Sequence, residues 1–133
     1  MNSHTSPTKS RPATLWVAVG VLLVLAFLSV VGGYLFNLSG ADEPDDYVIG
    51  GIFVLLGSLY LACAVRLPTG SPTWRTVAVA AAATHGVFNA VVKVGIEGET
   101  ESLMFVALTA LLVGLLVLPN TRRYFEAGRP LAV

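Results

Sequence analysis

The chain has 133 residues, 55% of them hydrophobic and only 12% charged, with a formal net charge of zero. Ordinary soluble domains carry roughly 25% charged residues, so this chain has too few to cover a water-facing surface, and without a basic excess a nucleic-acid partner is not expected. Its single cysteine, Cys63, excludes an intrachain disulfide and any Cys-based metal cluster.

Residues 1–14, MNSHTSPTKSRPAT, are polar and rich in Ser, Thr and Pro, which predicts a disordered tail. From Leu15 to Phe36 there are 22 residues without a charge. At about 1.5 Å of rise per residue this run covers the roughly 30 Å hydrocarbon core and predicts a first span over 15–36. The run exceeds a typical signal-peptide core and no clean A-x-A site follows it, so an uncleaved helix is expected. The stretch 37–46, NLSGADEPDD, is a loop by composition. Tyr47 to Val65 is a second uncharged run, of 19 residues, closed by Arg66. Leu67 to Thr73, LPTGSPT, reads as a tight connection.

The third span is predicted over 74–96, opening on Trp74 and Arg75, both suited to a membrane interface. It is followed by an acidic turn, GIEGETE. Ser102 to Leu118 is the fourth apolar run; its 17 residues are short for a span, and Pro119 limits its extension. Residues 119–133 read as a basic tail. There Arg122, Arg123 and Arg129 are expected to reach lipid headgroups while Tyr124 and Phe125 anchor at the interface. Gly32-Gly33 and Gly50-Gly51, near one membrane surface, suit either close packing or local unwinding, with packing the simpler assignment.

Charge sets the orientation. Lys9, Arg11, Arg66, Arg75, Arg122, Arg123 and Arg129 fall on one side of the four spans. Asp42, Glu43, Asp45, Asp46, Glu97, Glu99 and Glu101 fall on the other. Short loops rich in Lys and Arg stay cytoplasmic, so both termini are expected inside the cell. The fold class is therefore an all-α membrane protein, a four-helix transmembrane bundle with N-terminus and C-terminus in.

The third span carries most of the intramembrane polar groups. His85, Asn89, Lys93 and Glu97 recur every four residues and share a helix face, and Ala78, Ala82, Gly86 and Ala90 form a neighbouring row of small side chains. Small rows let helices approach closely, and polar rows in lipid need protein partners, so this helix is expected among its neighbours. Lys93 and Glu97 are spaced to pair. His85, near mid-bilayer, has Ser58 and Thr109 at its depth as expected hydrogen-bond partners. A structural His85 bonded to a hydroxyl or carbonyl is the plain reading; a proton relay along His85, Asn89 and Lys93 is the functional one.

No second intramembrane His accompanies His85, so neither haem nor metal ligation is expected within one copy. GxSxG, HExxH, Walker and Rossmann patterns are all absent, which leaves no catalytic residues to assign, no cofactor and no reason to expect an enzyme. The four runs and the ending LLVLPNTRRYFEAG resemble the small uncharacterised four-helix integral membrane proteins of actinobacteria. In those a proline closing the last helix is followed by an arginine pair and aromatics, as Pro119, Arg122, Arg123, Tyr124 and Phe125 are here. The resemblance implies a multi-pass protein of the cell membrane and no particular activity. Two functions fit the sequence: a non-enzymatic accessory or scaffold subunit, as a homo-oligomer or within a larger membrane complex, and a small transporter or proton-coupled conduit.

Overall fold

The computed structural model describes residues 11–35 and 42–127. Lys9, Arg129 and the N-terminal tail up to residue 10 lie outside them. The described chain is all-α, with four helical segments long and apolar enough to cross a membrane. It is a multi-pass membrane protein built as a four-helix bundle.

Helix α1, Ala13–Gly33, starts directly behind Pro12, whose extended ψ of 151° sets the entry. Its inward face follows helical spacing through Leu15, Ala18, Leu22, Leu25, Ala26, Ser29 and Gly33. Helix α2, Pro44–Arg66, begins three residues ahead of the uncharged run that starts at Tyr47. Proline fits the first turn, where its missing N–H removes nothing, and Asp45 and Asp46 there complement the helix dipole. A 3-10 turn, Leu67–Thr69, and the left-handed Gly70 (φ 79°) reverse the chain into helix α3, Pro72–Phe88. Beyond Phe88 the same rod continues as a π-helix, Asn89–Ile96. A second 3-10 turn, Thr100–Ser102, leads into helix α4, Leu103–Val117, and brings the short fourth span to 18 residues.

Pro119 does not end the structure. Leu118 turns extended (ψ 142°), as a residue ahead of proline prefers, and Pro119 then opens helix α5, Pro119–Ala127. Residues 119–127 are thus a fifth helix laid across the basic end of the bundle. Tyr124 and Phe125 are 7% and 2% exposed, so they are buried in protein and do not anchor in lipid headgroups. The reason is visible in their contacts. The Tyr124 hydroxyl donates to the Pro68 carbonyl, and Thr121 and Thr14 share a hydrogen bond of 2.6 Å. Arg75 lies over the Phe125 ring and donates from Nε to the Leu116 carbonyl at 2.9 Å. That carbonyl is one of those left open at the end of α4.

The two halves of the bundle are packed differently. Leu15, Leu22, Cys63, Leu67, Ala78, Ala82, Leu112 and Leu116 are fully buried, and all of them lie toward the basic end. Helix α1 packs along α2 for most of their length, whereas α2 and α3 share far less contact. The α1–α2 approach rests on glycine. A Cβ on Gly57 would stand 2.5 Å from Val30 Cγ2 and 2.9 Å from the Ala26 carbonyl, and one on Gly33 only 2.8 Å from Phe53 Cβ. Gly33 and Gly50 therefore mark close packing inside continuous helices, while Gly32 and Gly51 have open space beside them. On α3 the small row packs for three members: Ala78 and Ala82 are buried, Gly86 meets Thr109 of α4, and Ala90 turns outward where the π geometry begins.

Candidate functional site

The polar row of α3 is distributed over two environments. His85 is 5% exposed and its partner is a residue the sequence did not single out: Tyr60 of α2, fully buried, whose hydroxyl lies 2.9 Å from Nδ1. Ser58, the expected partner, lies on the exposed side of α2 and bonds back to the Val54 carbonyl at 2.9 Å. Thr109, the other expected partner, is buried but bonds back to the carbonyls of Phe105 (2.7 Å) and Val106 (3.1 Å), presenting its hydroxyl edge to Gly86. Phe53 and Phe105 complete the surroundings of the imidazole, with ring centroids 6.2 and 5.3 Å away.

Asn89 is 3% exposed and donates from Nδ2 to the His85 carbonyl at 2.8 Å. It is the first residue of the π-helix, whose wider i→i+5 pairing shows at its far end, where the Glu97 N–H reaches Val92 O at 2.9 Å. The amide side chain thus occupies a carbonyl at the point where the backbone register changes. Lys93 and Glu97 form the expected ion pair at 3.0 Å, both partly exposed. An exposed i,i+4 pair of this kind stabilises by only about 0.3–0.5 kcal/mol.

Asn89 and Lys93 also line a cavity of about 650 Å³ at the acidic end of the bundle. Ser29 of α1, Ser102 and the aromatic faces of Phe53 and Phe105 share in its lining. His85 does not: it lies behind the two phenylalanine rings that pack against it. The structure therefore brings Asn89 and Lys93 together, joins His85 to them only through the Asn89–His85 carbonyl bond, and leaves Ser58 and Thr109 outside the site. Ser29 and Tyr60 are the additions. The Ser29 hydroxyl, 1% exposed, has no partner among the described residues. Both additions carried one signal in the sequence, a polar atom inside an apolar run, but apolar residues surround them on every face and gave no direction.

Among the described residues no three His, Cys, Asp or Glu side chains converge as a metal site would require. Comparison with protein-family models, with curated proteins and with solved structures found no match.

The Tyr60–His85 bond makes a definite prediction. Tyr60→Phe removes one partner of a buried pair and strands Nδ1 in an apolar interior, which costs about 1–3 kcal/mol. Thermal unfolding in detergent should fall accordingly, while the double change Tyr60→Phe with His85→Phe should recover part of the loss. An unchanged melting temperature for the single variant would mean the bond is not made.

Proposed function

We propose that this is a multi-pass protein of a bacterial cell membrane, with both termini cytoplasmic, acting as a non-enzymatic accessory or scaffold subunit in a homo-oligomer or a larger membrane complex. The resemblance to actinobacterial four-helix proteins belongs to the same proposal. The observation that carries it is the closed base. Among the described residues Leu22, Cys63, Ala78, Ala82, Leu112 and Leu116 leave no exposed interior at the basic end, and α5 covers that end with Phe125 and Tyr124. A conduit through a single copy would have to break this packing. Outward-facing surfaces of α1, α2 and α4 are apolar, as lipid or a partner helix requires.

The second reading, a small transporter or proton-coupled conduit, draws support from the acidic-end cavity. The Ser29 hydroxyl, without a partner among the described residues, and Asn89 and Lys93 inside a membrane segment are the kind of groups that mark solute or ion pathways. Two measurements decide. Reporter fusions at Gly98 should read external and at Gly70 cytoplasmic; a cytoplasmic Gly98 overturns the topology. Purified protein in proteoliposomes should pass neither protons nor small solutes, and should co-purify from its native membrane with a stoichiometric partner or itself. Flux that disappears with Asn89→Ala would overturn the scaffold reading in favour of the conduit.

A further inference from the structure

A second concavity lies between α2 and α3, the pair with sparse contact, and opens sideways to the lipid. Its volume is about 850 Å³, within the roughly 300–1,000 Å³ of small-molecule sites. Ile52, Phe53, Leu56, Ala81 and Phe88 make it almost wholly apolar, with His85 and Thr84 as its polar members.

Hydrogen-bond accounting assigns the imidazole proton. Tyr60 is fully buried and its hydroxyl makes one hydrogen bond among the described residues, to His85 Nδ1. A phenol left without an acceptor in hydrocarbon is costly, so Tyr60 donates and Nδ1 of the neutral ring accepts. The ring proton is then on Nε2, and Nε2 is buried with no partner among the described residues. A lone N–H donor inside the bilayer calls for an acceptor that the described residues do not provide.

We infer that the α2–α3 groove binds a neutral, membrane-dissolved molecule whose carbonyl oxygen accepts a hydrogen bond from His85 Nε2. Depth narrows the class. His85 is thirteen residues from Pro72 and eleven from Ile96 within its span, so at ~1.5 Å per residue phospholipid ester carbonyls lie roughly 15–20 Å away. The acceptor must ride on a molecule soluble in the hydrocarbon core, such as a lipid-soluble ketone, with its apolar body against Phe53, Leu56 and Ala81. Nε2 is itself buried, so reaching it requires a ring that lines the groove, Phe53 or Phe88, to give way. The groove and the acidic-end cavity share Ile49 and Phe53 as walls, but Ser29, Asn89 and Lys93 line the cavity alone and His85 the groove alone, so this inference does not rest on the scaffold or conduit reading.

Benzophenone tests it directly, being a lipid-soluble ketone that inserts into nearby C–H bonds on irradiation. With the purified full chain in phospholipid vesicles, peptides carrying Ile52, Leu56 and Ala81 should be labelled above the lipid-facing Phe27 and Leu111 by roughly three- to tenfold, the factor one hydrogen bond supplies. His85→Phe, combined with Tyr60→Phe to keep the interior paired, keeps the aromatic shape and removes the donor. Its labelling should fall to the level of the outer faces, with a cooperative melt confirming that it folds. Uniform labelling of the native chain would overturn the inference, as would enrichment that survives in the double variant. Protection of the groove together with photo-crosslinked dimers would overturn it too, by assigning the groove to a second copy.

Discussion

Gly57→Ala should lower the unfolding temperature, while Gly20→Ala should raise it or leave it unchanged. The two substitutions add the same methyl group to a helix, and intrinsic helix propensity favours alanine over glycine by about 1 kcal/mol. At Gly20 nothing lies within 4 Å of the new Cβ, so the propensity gain stands. At Gly57 the new carbon would stand 2.5 Å from a methyl of Val30 and 2.9 Å from the backbone oxygen of Ala26. Val30 is β-branched and stiff, and a carbonyl in mid-helix cannot step aside, so α1 and α2 must separate. Overpacking of this sort costs about 1–3 kcal/mol, enough to reverse the sign. Cys63 supplies the readout: it is the single cysteine and fully buried, so a thiol-reactive dye reports unfolding in detergent. Equal or higher stability for Gly57→Ala would mean that α1 and α2 do not meet through this glycine.

The four spans were legible because lipid as a solvent is unforgiving. A run such as 15–36 with no charge has few other uses, and hydropathy alone marks it. Helix ends were less legible. Pro44 and the acids behind it read as loop by composition, although proline and aspartate are also what a helix start prefers. The His85–Asn89–Lys93 row was legible from spacing on one helix, but partners across helices were not. Ser58 lies at the depth of His85, and Tyr60, two residues on, faces about 200° away around the helix. Helix α2 is apolar all round, so no pattern in the sequence could say which of the two faces inward. The π-helix left no trace either, since it is a change of backbone pairing that the side chains do not spell out. Helix α5 is the instructive miss. Thr121, Tyr124 and Phe125 follow the i, i+3, i+4 spacing of a buried face, with Arg122, Arg123 and Glu126 on the exposed side. Arginines and aromatics beside a span also describe an interface anchor, and nine residues are too few for the sequence alone to choose.

Phe125→Ala separates those two descriptions and should be among the most damaging single changes in the chain. As an interface anchor, Phe125 would lose some lipid contact and the bundle would melt as before. As observed, the ring is 2% exposed, lies beneath the Arg75 guanidinium and belongs to the core cluster that closes the basic end. Removing a buried phenylalanine ring costs about 3–5 kcal/mol, because the lost burial and the cavity left behind add. A helix of nine residues does not persist by itself, so once Phe125 is gone its docking rests on the buried Thr121 and Tyr124 with their bonds to Thr14 and Pro68. Arg75 would lose its aromatic neighbour as well, loosening its bond to the Leu116 carbonyl. The expected result is a large drop in melting temperature and faster dye reaction at Cys63 well below it, since Cys63 is in the half that α5 covers. Arg123→Ala, on the exposed side of the same helix, should leave both readings within the scatter of the native protein. If Phe125→Ala behaves like Arg123→Ala, α5 is not docked and the basic end of the bundle is open.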